Sequence, residues 1–275
     1  MVDDHGVRGD AHFVGPIPDV YERLLVPMIF EHAATSLAAV VAQSAAKDIL
    51  ETAAGTGALT RALVDRCPDA TITATDLNQP MLDAGVARTP AGAHVAWQQA
   101  DALDLPFEDH TFDAVVCQFG VMFFPDRVRG YREARRVLRP GGSLVFNVWD
   151  RIENNEVPHV IQSALVEAAP DHPLTFMSRA PHGYFSLRQI RDDLACAGLP
   201  DPTITTVDAT ARTNAAEAAT AFCHGTPLRA AIEDHETLTL SEATRIAERA
   251  LLRHFGSGPV VAPIRSFEVV ARPTT

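Results

Sequence analysis

One nine-residue segment constrains this chain more than any other: Ile49-Leu50-Glu51-Thr52-Ala53-Ala54-Gly55-Thr56-Gly57. A short apolar run ends in an acid, then comes a turn with two glycines. A helical pattern follows from Leu59 to Arg66 and stops at Cys67-Pro68. Glycine has no Cβ, so Gly55 and Gly57 let the backbone turn tightly and approach a ligand closely. The start of the next helix supplies unpaired N–H groups toward that ligand.

The surrounding sequence repeats the strand–helix alternation. Strands are expected at Asp48 to Thr52, Thr71 to Asp76, Val95 to Ala100, Phe112 to Phe119 and Ser143 to Trp149. Helices are expected at Leu59 to Arg66, Pro80 to Ala87 and Val128 to Leu138, with a turn at Pro140-Gly141-Gly142. The runs FDAVVCQF and SLVFNVW are apolar on both faces, as in a parallel sheet covered by helices on each side. After Asp150 the alternation stops. Helical patterns appear near His159–Ala169, Ser186–Ala197, Asn214–Cys223 and Ser241–Phe255, with strands at Thr203–Thr210 and Val260–Ala271. Before it, Pro16 and Pro18 introduce a helical stretch from Val20 to Ala46 that Pro27 should kink or interrupt.

Composition narrows the partners. Asp and Glu total 35 against 23 Lys and Arg, a formal charge of -12. Such a field repels phosphate backbones, which argues against a nucleic-acid partner. Arg127, Arg129, Arg132, Arg135, Arg136 and Arg139 form a local basic stretch, which reads as the exposed face of the Val128–Leu138 helix. No apolar run approaches the roughly 20 residues of a membrane span, and Leu37 to Ala46 reads as a buried helix. Met1 to Asp10 holds three Asp and no apolar core, unlike a leader peptide, and the first fifteen residues should be mobile. Cys67, Cys117, Cys196 and Cys223 are scattered, which fits reduced thiols in a cytoplasm and no metal site.

The acids decide between ligands for the glycine turn. A dinucleotide fingerprint needs a third glycine or alanine, where this chain has Thr60. Glu51 beside the turn would also repel a pyrophosphate. A carboxylate there suits a ligand with a positive amine, such as S-adenosylmethionine. Asp76 closes the second strand, 19 residues after Gly57, where a carboxylate can accept both hydroxyls of a ribose. Asp101 follows the third strand and could accept from an adenine amino group.

Together Ile49–Gly57, Ala74–Asn78, Ala100–Ala102, Leu105–Val116 and Val137–Val145 resemble a class I S-adenosylmethionine-dependent methyltransferase. The subgroup most resembled includes the quinone-biosynthesis C-methyltransferases. The resemblance is firm over residues 45 to 150 and loose elsewhere. It implies an α/β, Rossmann-like, seven-stranded, mostly parallel sheet with helices on both faces and an antiparallel last strand, Val260–Ala271. It also implies roles. Glu51, Gly55 and Gly57 would hold the methionine end, and Asp76 the ribose. Leu77 and Met81 would lie against the adenosine, and Asp101 and Ala102 would meet the adenine. Gln118 would face the amino-acid part, with Phe119 beside it, and Tyr21 would bind the cofactor carboxylate from an N-terminal helical cover. One departure stands out: Ala53 occupies a position where the family usually has glycine.

The chain is then expected to be a single domain over 1–275. Residues 1–46 would be the cover and 47–150 the cofactor core. Residues 151–200 would be a helical insertion shaping the acceptor pocket, and 201–275 the closing strands and helices. Asn147, Trp149, His159, Phe176, His182, Tyr184 and Phe185 are candidates for that pocket, with no catalytic residue assigned. The implied reaction is methyl transfer to an O, N or C nucleophile of a small molecule. The rivals are a non-catalytic sensor or partner module that binds the same cofactor and, against Glu51 and Thr60, an NAD-dependent oxidoreductase.

Overall fold

The computed structural model describes Phe13 and residues 15–273. The expectations for Met1 to Asp10 lie outside the described residues, as does most of the segment expected to be mobile. Seven strands form one sheet: β1 Asp48–Glu51, β2 Thr71–Asp76, β3 Val95–Gln99, β4 Phe112–Gln118, β5 Leu138–Trp149, β6 Thr203–Thr213 and β7 Val260–Ala271. Their order is β3-β2-β1-β4-β5-β7-β6. β7 runs antiparallel to both its neighbours, and every other pairing is parallel. This is the sheet the resemblance implies. The strand order reverses between β1 and β4, so the crevice beyond their carboxyl ends is where a ligand is expected.

Alternation along the strands divides the core into two faces. Ile49, Ile72, Ala114, Val116 and Val145 pack against Leu37, Ala38 and Val41 of helix α1 (Ile17–Ala42) and against Leu59 and Leu63 of α2 (Ala58–Arg66). Leu50, Val115, Leu144, Phe146 and Val148 belong to the other face, with Tyr131, Ala134 and Val137 of α4 (Arg127–Val137). Helix α3 (Gln79–Arg88) joins β2 to β3. The second half adds α5 (Glu156–Ala168), α6 (Phe176–Arg179), α7 (Leu187–Cys196), α8 (Ala215–His224), α9 (Leu228–Glu233) and α10 (Leu240–Phe255). α10 packs on α5 and α8.

Three expectations need correction. First, Pro27 does not interrupt α1. Tyr21–Phe30 takes a π form instead, and the N–H of Glu31 donates to the carbonyl of Val26. The wider turn tolerates the missing N–H and the ring that would crowd the carbonyl four residues back. Because that stretch continues as helix, α1 is long and apolar enough, by length and composition, to cross a membrane, although 56% of its most apolar window is buried within the protein. Second, Pro140-Gly141-Gly142 lies inside β5. Leu138 pairs with Phe112 and Ser143 with Ala114, so residues 139–142 bulge opposite Asp113. Third, the arginine stretch is only in part an exposed face: Arg129, Arg132 and Arg135 are exposed as expected, whereas Arg127, Arg136 and Arg139 make structural ties. Arg136 donates to Glu133, Asp109 and the carbonyls of Leu105 and Phe107. Arg139 bridges Asp48 and Asp113, and Arg127 lies 4.3 Å over the Tyr184 ring.

Candidate active site

Beyond the carboxyl ends of β1, β2, β4 and β5 lies a cavity of about 650 Å³, within the range of small-molecule sites. Its floor is the turn after β1. Gly55 and Gly57 adopt φ of +57° and +83°, the left-handed region that favours glycine. A Cβ on Gly57 would sit 2.9 Å from the Trp97 ring. Ala53 also holds a left-handed φ of +52°. That explains the family's preference for glycine there, and the turn keeps its path with alanine.

Asp76 is buried and carries the turn. One carboxylate oxygen accepts the N–H of Gly55 at 2.9 Å, and the other accepts that of Asn78 at 2.8 Å. It still borders the cavity. Oδ1 also accepts from the Asn78 side-chain amide at 3.2 Å, while Oδ2, with Gly55 as its one partner, keeps a second lone pair for a hydroxyl. Burial raises its pKa while these N–H groups lower it.

Glu51 is more deeply set. Its Oε2 accepts the hydroxyl of Thr60 at 2.6 Å, and its Oε1 is buried without a partner. Burial pushes its carboxyl up to about 8. An orphaned carboxylate oxygen in an apolar setting is costly. A cationic donor delivered from the cavity side would satisfy it.

Of the twelve residues proposed for the cofactor, ten line the cavity: Tyr21, Ala53, Gly55, Asp76, Leu77, Met81, Asp101, Ala102, Gln118 and Phe119. Glu51 and Gly57 stand behind the wall. Gln118 also donates to the carbonyl of Phe30 at 2.8 Å, tying β4 to the cover. Asp101 accepts the N–H of Leu103 and stays exposed. Tyr21 stacks on Phe30 with centroids 4.8 Å apart. Burial among acids pushes its hydroxyl far up, so it remains a neutral donor.

The cover is fastened to the turn. Glu22 accepts from Arg61 at 2.7 Å, and Arg61 also donates to the carbonyl of Thr56. Tyr21, Leu25, Ile29 and Phe30 all face the cavity. The π form brings these positions to one side, since its turn is wider than an α-helical one.

The acceptor candidates divide. Trp149, Phe176 and His182 line the cavity. His159 lies in a separate surface depression beside His254 and Glu156. Tyr184 is buried and donates to Asp193, and Phe185 lies against Arg151. Asn147 is buried beneath the site, where its Oδ1 accepts the N–H of Phe119.

Several lining residues were not anticipated. Phe123, Phe124 and Pro125 follow β4, where an aromatic run beyond a strand end was a readable signal. Phe222 and Pro227 come from α8 and the loop after it, where nothing in the local sequence marks them. Phe13 donates to Asn78 and packs edge-on against Tyr21 and Phe123 at the mouth.

Comparison with known proteins agrees with this geometry. Residues 50–146 match the family model described as a methyltransferase domain. A demethylmenaquinone methyltransferase of Deinococcus radiodurans is 43% identical over 101 residues, 36% of this chain and 41% of that one. One of Thermus thermophilus is 44% identical over 106 residues, 38% and 47% of the two chains. The alignments thus span less than half the length of these relatives. The fold of the Bacillus subtilis YcgJ protein superposes with a TM-score of 0.58 at 16% identity, covering 89% of this chain and all of that one. Over residues 50–146, the chain is thus similar to a methyltransferase domain.

Proposed function

We propose that the protein transfers the methyl group of S-adenosylmethionine to a small-molecule acceptor and releases S-adenosylhomocysteine. The observation that carries this is one continuous cavity with two chemically distinct ends. The glycine turn, Asp76, Asp101 and Tyr21 gather at one end, and an aromatic wall of Phe30, Phe119 and Trp149 borders the space beyond.

The residues fit the cofactor. Asp76 would accept the ribose hydroxyls, and Leu77 and Met81 would flank the adenosine. Asp101 and Ala102 would meet the adenine, and Gln118 and Tyr21 would face the amino-acid end. The orphaned Oε1 of Glu51 would take a hydrogen bond from its ammonium, directly or through water. The cofactor supplies an activated methyl on a sulfonium, which leaves without acid assistance. The protein's part is to align the acceptor and exclude water.

The relatives are named for quinone methylation, and an apolar aromatic cavity would admit such a ring. The matched family segment ends at residue 146, before α5, α6 and α8, which build much of the acceptor end. The acceptor is therefore proposed only as a small apolar molecule presenting an O, N or C nucleophile.

Calorimetry with S-adenosylhomocysteine tests the reading. Binding at one site per chain is expected, and no binding would sink it. A sensor role would show binding without turnover on any acceptor of a broad panel.

A further inference from the structure

The acceptor end of the cavity is largely apolar; Asn155 and Thr226 also line it, but their polar groups are engaged by the backbone, which leaves His182. Phe119, Trp149, Phe176, Met177, Phe222 and Ile264 border it, and His182 stands among them. Apart from Asp76 and Asp101 at the cofactor end, the charged side chain on the cavity among the described residues is Arg129, exposed at the rim. A charged acceptor would lose its hydration here without a partner, so an uncharged one is favoured.

His182 is 5% exposed and rigidly placed. Its N–H donates to the carbonyl of Met177 at 3.0 Å. The next residue, Gly183, is pressed so closely on the carbonyl of Arg179 that a Cβ would lie 2.1 Å from it. The ring Nδ1 lies 2.8 Å from the carbonyl oxygen of Asp150. A carbonyl only accepts, so Nδ1 carries the proton and Nε2 presents a bare lone pair. Nε2 has no hydrogen-bond partner among the described residues, and His182 lines the cavity. Burial lowers the imidazole to about 4, against the pull of Asp150 and Glu153, so the ring is neutral. Asp150 directly follows Trp149, so one strand end positions both the base and the aromatic wall, with the two rings 6.1 Å apart.

We propose that His182 is the catalytic residue that accepts the proton of a hydroxyl on an uncharged, flat, apolar acceptor. The inference rests on the methyl-transfer reading above. A hydroxyl becomes a strong nucleophile only as its proton leaves. The O–H bond breaks and its proton passes to Nε2. The oxygen, or a ring carbon conjugated to it, bonds the methyl carbon, and the methyl–sulfur bond breaks with its electron pair left on sulfur. The cavity's net charge is unchanged, because an imidazolium appears as the sulfonium charge disappears. That balance lets a weakly basic, buried imidazole serve.

The test compares 1-naphthol with its methyl ether, read by quenching of Trp149 fluorescence, with and without S-adenosylhomocysteine. The wild-type protein should bind 1-naphthol at least tenfold more tightly. His182→Phe should remove that preference while leaving S-adenosylhomocysteine affinity within twofold, and His182→Gln, which keeps an acceptor oxygen, should retain part of it. Equal binding of the two probes by the wild type, or a preference surviving in His182→Phe, overturns the proposal. Nitrogen-15 spectra of the wild type give a second reading that needs no variant. A proton on Nδ1 is expected, and a proton on Nε2 overturns the proposal. If S-adenosylhomocysteine fails to bind, the methyl-transfer reading falls, yet the naphthol comparison in the free protein still decides the role of His182.

Discussion

The rings of Phe119 and Trp149 are stacked, with centroids 3.8 Å apart and planes inclined by only 6°. They come from the ends of adjacent strands, and one side chain locks them. Phe119 holds a left-handed φ of +50°, and its N–H is taken by Oδ1 of Asn147, two residues before Trp149. Removing that acceptor leaves a buried N–H unpaired, which costs about 1–3 kcal/mol. Asn147→Ala should therefore lower the unfolding free energy by that amount and weaken the near-ultraviolet circular dichroism of the stack. Unchanged stability and spectrum would show that Asn147 does not hold the aromatic wall.

Ala53 offers a change in the opposite direction. A left-handed alanine costs roughly 1–2 kcal/mol, and glycine gives back part of that gain through a freer unfolded chain. Ala53→Gly should stabilise the protein by about 0.5–1 kcal/mol, raising the thermal midpoint by a few degrees at most. The methyl of Ala53 also faces Gly120, where a Cβ would lie 2.5 Å away. Gly120→Ala should accordingly be strongly destabilising in the wild-type background. A lower midpoint for Ala53→Gly would mean that the methyl's packing outweighs its backbone strain.

The fold around the proposed cofactor end was legible because its signals are local. Gly55, Gly57 and Asp76 sit at strand ends fixed by short apolar runs, and both β2 and β7 begin and end where the sequence places them. The acceptor half was not, because its geometry is made by distant pieces. His182 differs from His159 only in what the chain folds against it: Asp150 and the cavity in one case, a surface depression in the other. Pro27 misleads in another way. Its local rule forecasts a break, but packing of α1 on the sheet outweighs the rule, and a wider helical turn absorbs the conflict.

Asp76 joins the turn to the ligand site, so its two roles can be separated. Asp76→Ala removes the partner of the Gly55 N–H and the proposed acceptor for a ribose. S-adenosylhomocysteine affinity should fall by the equivalent of about 1–3 kcal/mol. Asp76→Asn keeps one acceptor oxygen for Gly55 or Asn78 but loses the charge. It should retain the folded turn while still binding more weakly than wild type. An unchanged dissociation constant in both folded variants would remove Asp76 from the site.

Glu51 gives a pH signature that can be read without any acceptor. Burial lifts its carboxyl from the ordinary 4.5 to about 8. Between these values the folded state holds a proton that the unfolded state has released. Stability is therefore fully present below about pH 4.5 and is lost as pH rises toward 8. Each tenfold change in proton affinity is worth about 1.4 kcal/mol, so the loss is on the order of a few kcal/mol. Glu51→Gln carries no such proton, so its stability should change far less across pH 5–8. The variant should gain on wild type as pH rises. An ammonium facing Oε1 favours the ionised carboxylate, so S-adenosylhomocysteine should bind more tightly as pH rises toward 8 and then level off. Denaturation curves and calorimetric titrations at pH 5, 6, 7 and 8 measure both effects. A wild-type stability that does not fall from pH 5 to 8 more steeply than that of Glu51→Gln would contradict a protonated, buried Glu51. An affinity that does not rise over the same range would separate Glu51 from the cofactor's amine.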